Sequence, residues 1–339
     1  MYRLVLLSAL ALTGCVVPAA FLFDERVPAC RLPALTVSAT WNGSDLGAIQ
    51  GLCWVGPDRV ALAGGHVSIR EAATGDLVEN LSAKWANHYD VARSPDGTLL
   101  AASKADGQVF LWDAATGREW GTLVGGTSPL FEVCFSPDGK CLAAGGSGGT
   151  AYVWDLATSR CIHEFQVRAR PFRCCSVSAI AFSADSTRLV TGDYESWVTV
   201  WDARTGQELA SFEGHTGIVD TVAFSPSGRV FATGSNDDTV AVWSATDYKE
   251  LARFKMPNSV KRIAFLQPDD LLVAVGGTPG KIVPASGFIQ ATRWTTGRVV
   301  ARRHLWDDYA EALAVAPDGT YCVAATHKGE VLLWRVASR

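Results

Sequence analysis

Apolar residues in this chain fall in short alternating runs separated by turn-forming clusters. Val222-Ala223-Phe224 is followed by Ser225-Pro226-Ser227-Gly228 and then by Val230-Phe231-Ala232-Thr233. Proline presets φ, a short polar side chain bonds its own backbone, and glycine tolerates positive φ, so the middle cluster predicts a tight turn between two strands. Thr239-Val240-Ala241-Val242-Trp243 and Lys249-Glu250-Leu251-Ala252-Arg253-Phe254 alternate with a period of two and predict a third and a fourth strand. Four strands joined by three short turns make a twisted antiparallel sheet. Such a sheet cannot cover both of its faces, so it has to stack on others.

The unit recurs. One phrase reads Trp112-Asp113-Ala114-Ala115-Thr116-Gly117, Trp154-Asp155-Leu156-Ala157-Thr158 and Trp201-Asp202-Ala203-Arg204-Thr205-Gly206. Weaker copies are Trp243-Ser244-Ala245-Thr246, Trp294-Thr295-Thr296-Gly297 and Trp334-Arg335, and Arg70-Glu71-Ala72-Ala73-Thr74-Gly75 keeps the turn without the tryptophan. A turn phrase precedes each copy: Ser94-Pro95-Asp96-Gly97, Ser136-Pro137-Asp138-Gly139, Ser225-Pro226-Ser227-Gly228 and Ala316-Pro317-Asp318-Gly319, with looser versions at Gly56-Pro57-Asp58, Ser183-Ala184-Asp185-Ser186 and Gln267-Pro268-Asp269-Asp270. Starting from position 70, the intervals between Trp-type positions are 42, 42, 47, 42, 51 and 40 residues.

A period of about 40–45 residues ending in Trp-Asp resembles the WD40 family. The resemblance runs through residues 32–339. It implies an all-β, seven-bladed propeller. It is strongest between Gly214 and Phe254, where the family's structural tetrad carries over onto His215, Thr233, Asp237 and Trp243. In the family these side chains form a buried hydrogen-bond chain, which suits their donors and acceptors. Elsewhere the chain departs from the pattern. Asp106 and Trp112 stand without a Gly-His pair. Glu195, Gly148 and Lys328 occupy the Asp position of other blades, and Arg70 replaces the first Trp. Those blades are expected to rely on apolar packing and to be less rigid.

The last repeat runs out after three strands, around Ala312–Val315, Tyr321–Ala325 and Val331–Val336. The alternating segment from Leu32 to Trp41 has no blade of its own. The N-terminal segment is therefore expected to supply the fourth strand of the seventh blade, which leaves no open edge. Two insertions, Arg168 to Ser176 and Thr278 to Ser286, are expected to form loops.

Composition adds little to the fold and more to the setting. With 19% charged residues, a net charge of −4 and no Lys/Arg block, the chain offers no electrostatic footprint for nucleic acid. Residues 1–15 combine a basic start, the apolar run Leu4 to Leu12 and the tetrad Leu12-Thr13-Gly14-Cys15. That describes an export signal, and the tetrad resembles the bacterial lipobox, with Cys15 as the residue to be lipidated and 16–31 as a linker. An uncleaved anchor over residues 4–23 and an accidental apolar start on a cytosolic protein are the alternatives. Cys134 and Cys141, two of nine cysteines, flank a hairpin turn. They are either a cross-strand disulfide or two small buried thiols.

The sequence contains no P-loop and no G-x-G-x-x-G opening a helix, and its G-x-S-x-G match at residues 145–149 opens a strand rather than a helix. Its six histidines show no metal-ligand spacing, and no cofactor or metal is implied. Gly145-Gly146-Ser147-Gly148-Gly149 lacks a following lysine and reads as a strand turn. The family grips proteins and peptides on the narrow face of the ring. Carried over onto this chain, the inner-strand positions of that face are Gln50, Tyr89, Phe131, Ser178, Asp220, Lys261 and Glu311, and the turn positions are Tyr194, Asn236 and His327. Tyr89, Phe131 and Tyr194 are expected to form an aromatic arc, the residue type of binding hot spots. The expected function is a non-catalytic scaffold for a protein or peptide partner, membrane-associated through its N-terminus. The rival readings are a propeller hydrolase or quinone-dependent dehydrogenase, and a cytosolic adaptor.

Overall fold

A computed structural model describes residues 35–82, 86–167, 176–266, 270–279 and 284–336. The segment expected to hold the export signal and Cys15 lies outside the described residues, as does most of the insertion after Val167. Among the described residues, twenty-eight strands and a single 3-10 turn at Ser44–Leu46 make up the regular structure. The strands form seven antiparallel sheets of four. Blades one to six span 51–80, 88–124, 130–166, 177–213, 219–255 and 260–306, and each takes its strands in chain order. Blade seven combines Ala310–Val315, Tyr321–Thr326 and Glu330–Val336 with Leu35–Asn42 from the start of the chain, which pairs antiparallel with Glu330–Val336. Innermost strands of successive blades touch all the way round, and blade seven touches blade one.

Local chemistry explains the hairpins. In the turn after the first strand of blade two, Ser94 Oγ donates to Asp96 Oδ1 at 2.6 Å, and the same serine accepts from Leu99 N at 2.9 Å. Asp96 also accepts from Thr98 N, and Gly97 sits at φ +76°. Blades three and four repeat this with Ser136/Asp138 and Ser183/Asp185. The Asp of each Trp-Asp pair closes the next turn. Asp113 Oδ1 accepts from Ala115 N and Thr116 N, and Asp155 and Asp202 do the same for the residues that follow them.

Burial is not central. Seven apolar clusters lie one between each pair of neighbouring blades, from Ala61, Val67 and Trp112 between blades one and two to Val273, Cys322 and Trp334 between six and seven. Close approach there demands small residues. An added Cβ at Gly145, Gly192 or Gly234 would meet the valine that opens the next blade's inner strand at 2.4 to 2.5 Å.

Four expectations are corrected. Trp294 does not hold the Trp position of blade six. Leu272 pairs with Thr292 where Phe231 pairs with Trp243 in blade five, and Trp294 lies two residues further on, at the start of the turn. Counted from Thr292, the intervals become 49 and 42 residues. Blade one does not rest on apolar packing alone. Arg70, 7% exposed, donates to Gly75 O at 3.0 Å, pairs with Asp45, and lies over the ring of Trp41. In blade four it is Asp193, not Glu195, whose carboxylate accepts from the amides of Glu195 and Trp197 that close the turn, both at 2.9 Å. The insertion at 278–286 is partly strand, because Gly277 and Thr278 extend the ladder against Gly287 and Ser286. Cys134 lies opposite Ala143 and Cys141 opposite Asp155; both thiols are free. Gly148 and Gly149 have positive φ in the turn between two strands.

The seam carries a specific load. Trp41, on the closing strand, packs into the cluster shared by blades seven and one and donates from Nε1 to Ala72 O at 3.0 Å. Trp41→Ala is expected to cost about 3 kcal/mol, the usual scale for deleting a large packed aromatic, read as a lower urea midpoint at unchanged m-value.

Candidate binding face at the channel mouth

The inner strands decide what the ring presents at its centre. In blades two to seven the pairing of the first two strands skips one residue near the start of the inner strand. The skipped residues are Tyr89, Phe131, Ser178, Asp220, Lys261 and Glu311. A bulge re-aims the side chain it frees. Blade one has no such shift, and Gln50 N simply donates to Ala63 O at 3.0 Å.

The three aromatic residues meet. Tyr89 and Phe131 are edge to face with centroids 5.5 Å apart, and Phe131 stacks on Tyr194 at 6.3 Å with the planes 9° apart. Tyr194 is 40% exposed, and its phenol is pushed up by burial and by the charge of Asp220. Asp220 and Lys261 form a pair, with Nζ 3.3 Å from each carboxylate oxygen. Glu311 accepts from His327 Nδ1 at 3.2 Å, and His327 stacks on Tyr309. Asn236 is exposed in the turn of blade five, its backbone N–H donating to Ile218 O at 3.1 Å. Ser178 is not available on this face. It is buried, and its hydroxyl donates to Val219 O at 2.7 Å, tying blade four to blade five.

Beneath the rim lies a layer that sequence reasoning missed. The residues after the bulge are small in three blades (Ala179, Thr221 and Ala312), as is Gly51 at the same position of unbulged blade one, but are Asp90, Glu132 and Arg262 in the other three. Asp90 Oδ2 accepts from Val133 N of the next blade at 3.1 Å, and Glu132 Oε2 from Ile180 N of the next at 2.7 Å. Arg262, from blade six, donates to Lys261 O at 2.9 Å, and its charge is favoured by Glu132, Asp90, Asp220 and Glu311. Burial pushes the carboxyls of Asp90 and Glu132 up despite Arg262, and raises Asp220 despite Lys261. The signal was present in the sequence: three charged residues in a column otherwise filled by small ones.

Away from the channel, blade five holds a continuous polar chain. Trp243 Nε1 donates to Thr233 Oγ1 at 2.8 Å, Thr233 lies 2.7 Å from His215 Nε2, and His215 Nδ1 lies 3.1 Å from Asp237 Oδ2. Asp237 in turn accepts from Thr239 Oγ1 and Thr216 N. Burial lowers the pKa of His215, and a neutral ring offers this chain one N–H donor and one acceptor nitrogen. Arg253 extends it, donating to Gly214 O and lying over Trp243. Blade four keeps the Trp201 to Thr191 bond at 3.0 Å, and in blade seven Asp308 accepts from Tyr309 N and Lys328 N.

The WD40 family model (WD domain, G-beta repeat) matches the chain four times, over residues 80–113, 117–155, 160–202 and 206–244. The chain is a seven-bladed propeller with WD40 repeats. No curated protein matches it. The WD40 frame is offset from the blades by one strand. The repeat at 117–155 takes in Glu119–Val124 of blade two and the three inner strands of blade three, and the repeats at 160–202 and 206–244 likewise join the outer strand of one blade to the three inner strands of the next. Among the described residues, no three His, Cys, Asp or Glu side chains cluster to hold a metal, and no helix is long and apolar enough to cross a membrane.

The charged layer has a pH signature. Glu132 is raised above the ordinary glutamate value, so the native state holds its proton more tightly than the unfolded chain does. The stability this contributes is present below about pH 4.3 and is lost as pH rises through the native pKa. Glu132→Gln keeps an oxygen for Ile180 N and removes the ionisation. Its stability relative to the parent is expected to rise between pH 4 and pH 8 in urea titrations, and a flat or falling difference refutes the account.

Proposed function

We propose that the channel mouth is a docking face for a segment of another protein, and that the chain works as a non-catalytic interaction platform. The observation that carries this is the aromatic arc. Three rings from three successive blades touch one another at the rim, although nothing in the blade pairing requires aromatic residues at bulge positions. Rings fixed by mutual contact lose little freedom on binding, and large aromatic anchors near the centre of a face contribute most of the affinity in protein interfaces. WD40 propellers generally mediate protein interactions, which fits the same reading.

The test is a double substitution, Tyr89→Ala with Phe131→Ala, in the full chain. Partners captured from the native host by the parent are expected to bind about 30-fold more weakly, the loss of a hot spot of roughly 2 kcal/mol. Undiminished capture by a variant with the parent's thermal midpoint refutes the docking face.

The second part of the proposal is location. The basic start, apolar run and Leu12-Thr13-Gly14-Cys15 tetrad support a platform tethered to a bacterial envelope through lipidated Cys15. Metabolic palmitate labelling of the parent is expected to mark the protein, and Cys15→Ala is expected to abolish the label. Equal labelling of the two, or none, removes the tether.

A further inference from the structure

One position on the inner strands breaks an apolar column. The residue that opens this strand is Leu130, Val177, Val219, Val260 and Ala310 in blades three to seven, and all five are buried. In blade two it is His88, which pairs with Lys104 and is 2% exposed. Its ring meets Phe110 at 6.1 Å and Trp112 at 6.2 Å, both edge-on. The Ser103 carbonyl lies within reach, but neither ring nitrogen makes a hydrogen bond of good geometry. A neutral imidazole carries one N–H donor and one acceptor nitrogen, and burying them poorly matched is costly. The layer around it is also thin. Among the described residues, eight buried apolar side chains fill the space between blades one and two, the fewest of the seven clusters.

Protonation worsens the mismatch. The charged and titratable groups facing His88 are Lys104 and Asp106 of blade two and His66 of blade one, itself buried. Asp106 is the one acid among them, and Lys104 Nζ holds it at 2.7 Å. The face of Phe110, which attracts cations, has the same ammonium 5.0 Å above it. A charged His88 therefore meets no free counter-ion. Burial, helped by Lys104 and His66, lowers its pKa to about 4 despite Ser103 and Asp106. The native state then binds this proton less readily than the unfolded chain, whose histidines titrate near pH 6.5. The stability that a neutral His88 contributes is intact above about pH 6.5 and is lost as pH falls through about 4.

The loss falls beside the binding face. His88 N donates to Gly64 O and Ala86 N to Gly65 O, both at 2.8 Å, so the entry of blade two rests on the turn of blade one. The next residue is Tyr89, freed by the bulge and held edge to face against Phe131. We propose that the boundary between blades one and two is an acid-sensitive seam, in which protonation of His88 loosens the start of the inner strand and releases Tyr89 from the aromatic arc. A ring that must reach water to carry its charge draws the first residue of the strand out of the layer, and Tyr89 follows it. The seam stands on the geometry of His88 alone. Its consequence, that acid discharges whatever the arc holds, rests on the docking reading above.

The test compares the full chain with His88→Val, which restores the apolar column. In urea titrations the folding equilibrium of the parent relative to the variant is expected to fall about 100-fold between pH 7 and pH 4. Amide exchange, referenced at each pH to Val230–Ser235 of blade five, is expected to quicken at pH 5 in His88–Arg93 and Val67–Glu71 of the parent and not of the variant. With fluorotyrosine incorporated and Tyr89 assigned through Tyr89→Phe, the Tyr89 resonance of the parent is expected to move with the titration of His88 and to stand still in His88→Val. An NMR titration of the parent, which needs no variant, is expected to place the His88 imidazole well below 6. A stability ratio flat with pH, unchanged exchange, a His88 titration near 6.5, or a Tyr89 resonance indifferent to pH each overturns the proposal. None of these readouts uses a partner. If they hold while Tyr89→Ala with Phe131→Ala leaves capture undiminished, the docking reading falls and the seam stands; if capture depends on the arc but the stability ratio is flat, the seam alone falls.

Discussion

A four-stranded twisted sheet has two apolar faces and no means of covering either. In this chain each face is covered only by the next sheet, and the seventh covers the first. Every other feature depends on that mutual coverage. The core is seven thin layers, and a loss at one interface is not made good by a shared centre. The closing strand matters for the same reason. It completes blade seven and carries Trp41 into the layer shared with blade one, the interface where Arg70 stands in the tryptophan position.

The centre of the ring is where apolar burial gives out and polar latches take over. Asp90, Glu132 and Ser178 each reach from their own blade to the backbone of the next. These bonds link neighbours where the blades are narrowest, and two of them are made by carboxylates that pay for burial with raised pKa values. A channel lined by such groups is both a clamp on the ring and an electrostatic surface. The rim above it inherits that field, which connects the stability of the ring to the chemistry of its mouth.

Much of the fold was legible because its determinants are short-range. Ser94-Pro95-Asp96-Gly97 forms its turn from bonds within six residues, and Asp113 closes its turn within four. The rim residues were legible too, because their column repeats with the blades. Where reading failed, it failed through register. Trp294 mimics the repeat phrase, yet its glycine follows after three residues, whereas Gly75, Gly117 and Gly206 follow five after positions 70, 112 and 201. That interval pointed to Thr292. Ser178 shares the column of Tyr89 and Asp220, but a hydroxyl is short enough to fold back on the neighbouring strand where a tyrosine or lysine is not.

The sequence by itself determined the repeating unit, its turns, the number of blades and the strand that closes the ring, since each of these follows from the bonding of neighbouring residues or from a period counted along the chain. Only the tertiary structure decided that Asp90, Glu132 and Arg262, drawn from blades two, three and six, share one enclosed space, and that Asp193 and Arg70 take over polar work elsewhere. The physical reason is closure. Bending seven sheets into a circle brings together side chains more than a hundred residues apart, and the low-dielectric confinement that makes their charges matter exists only once the circle is complete.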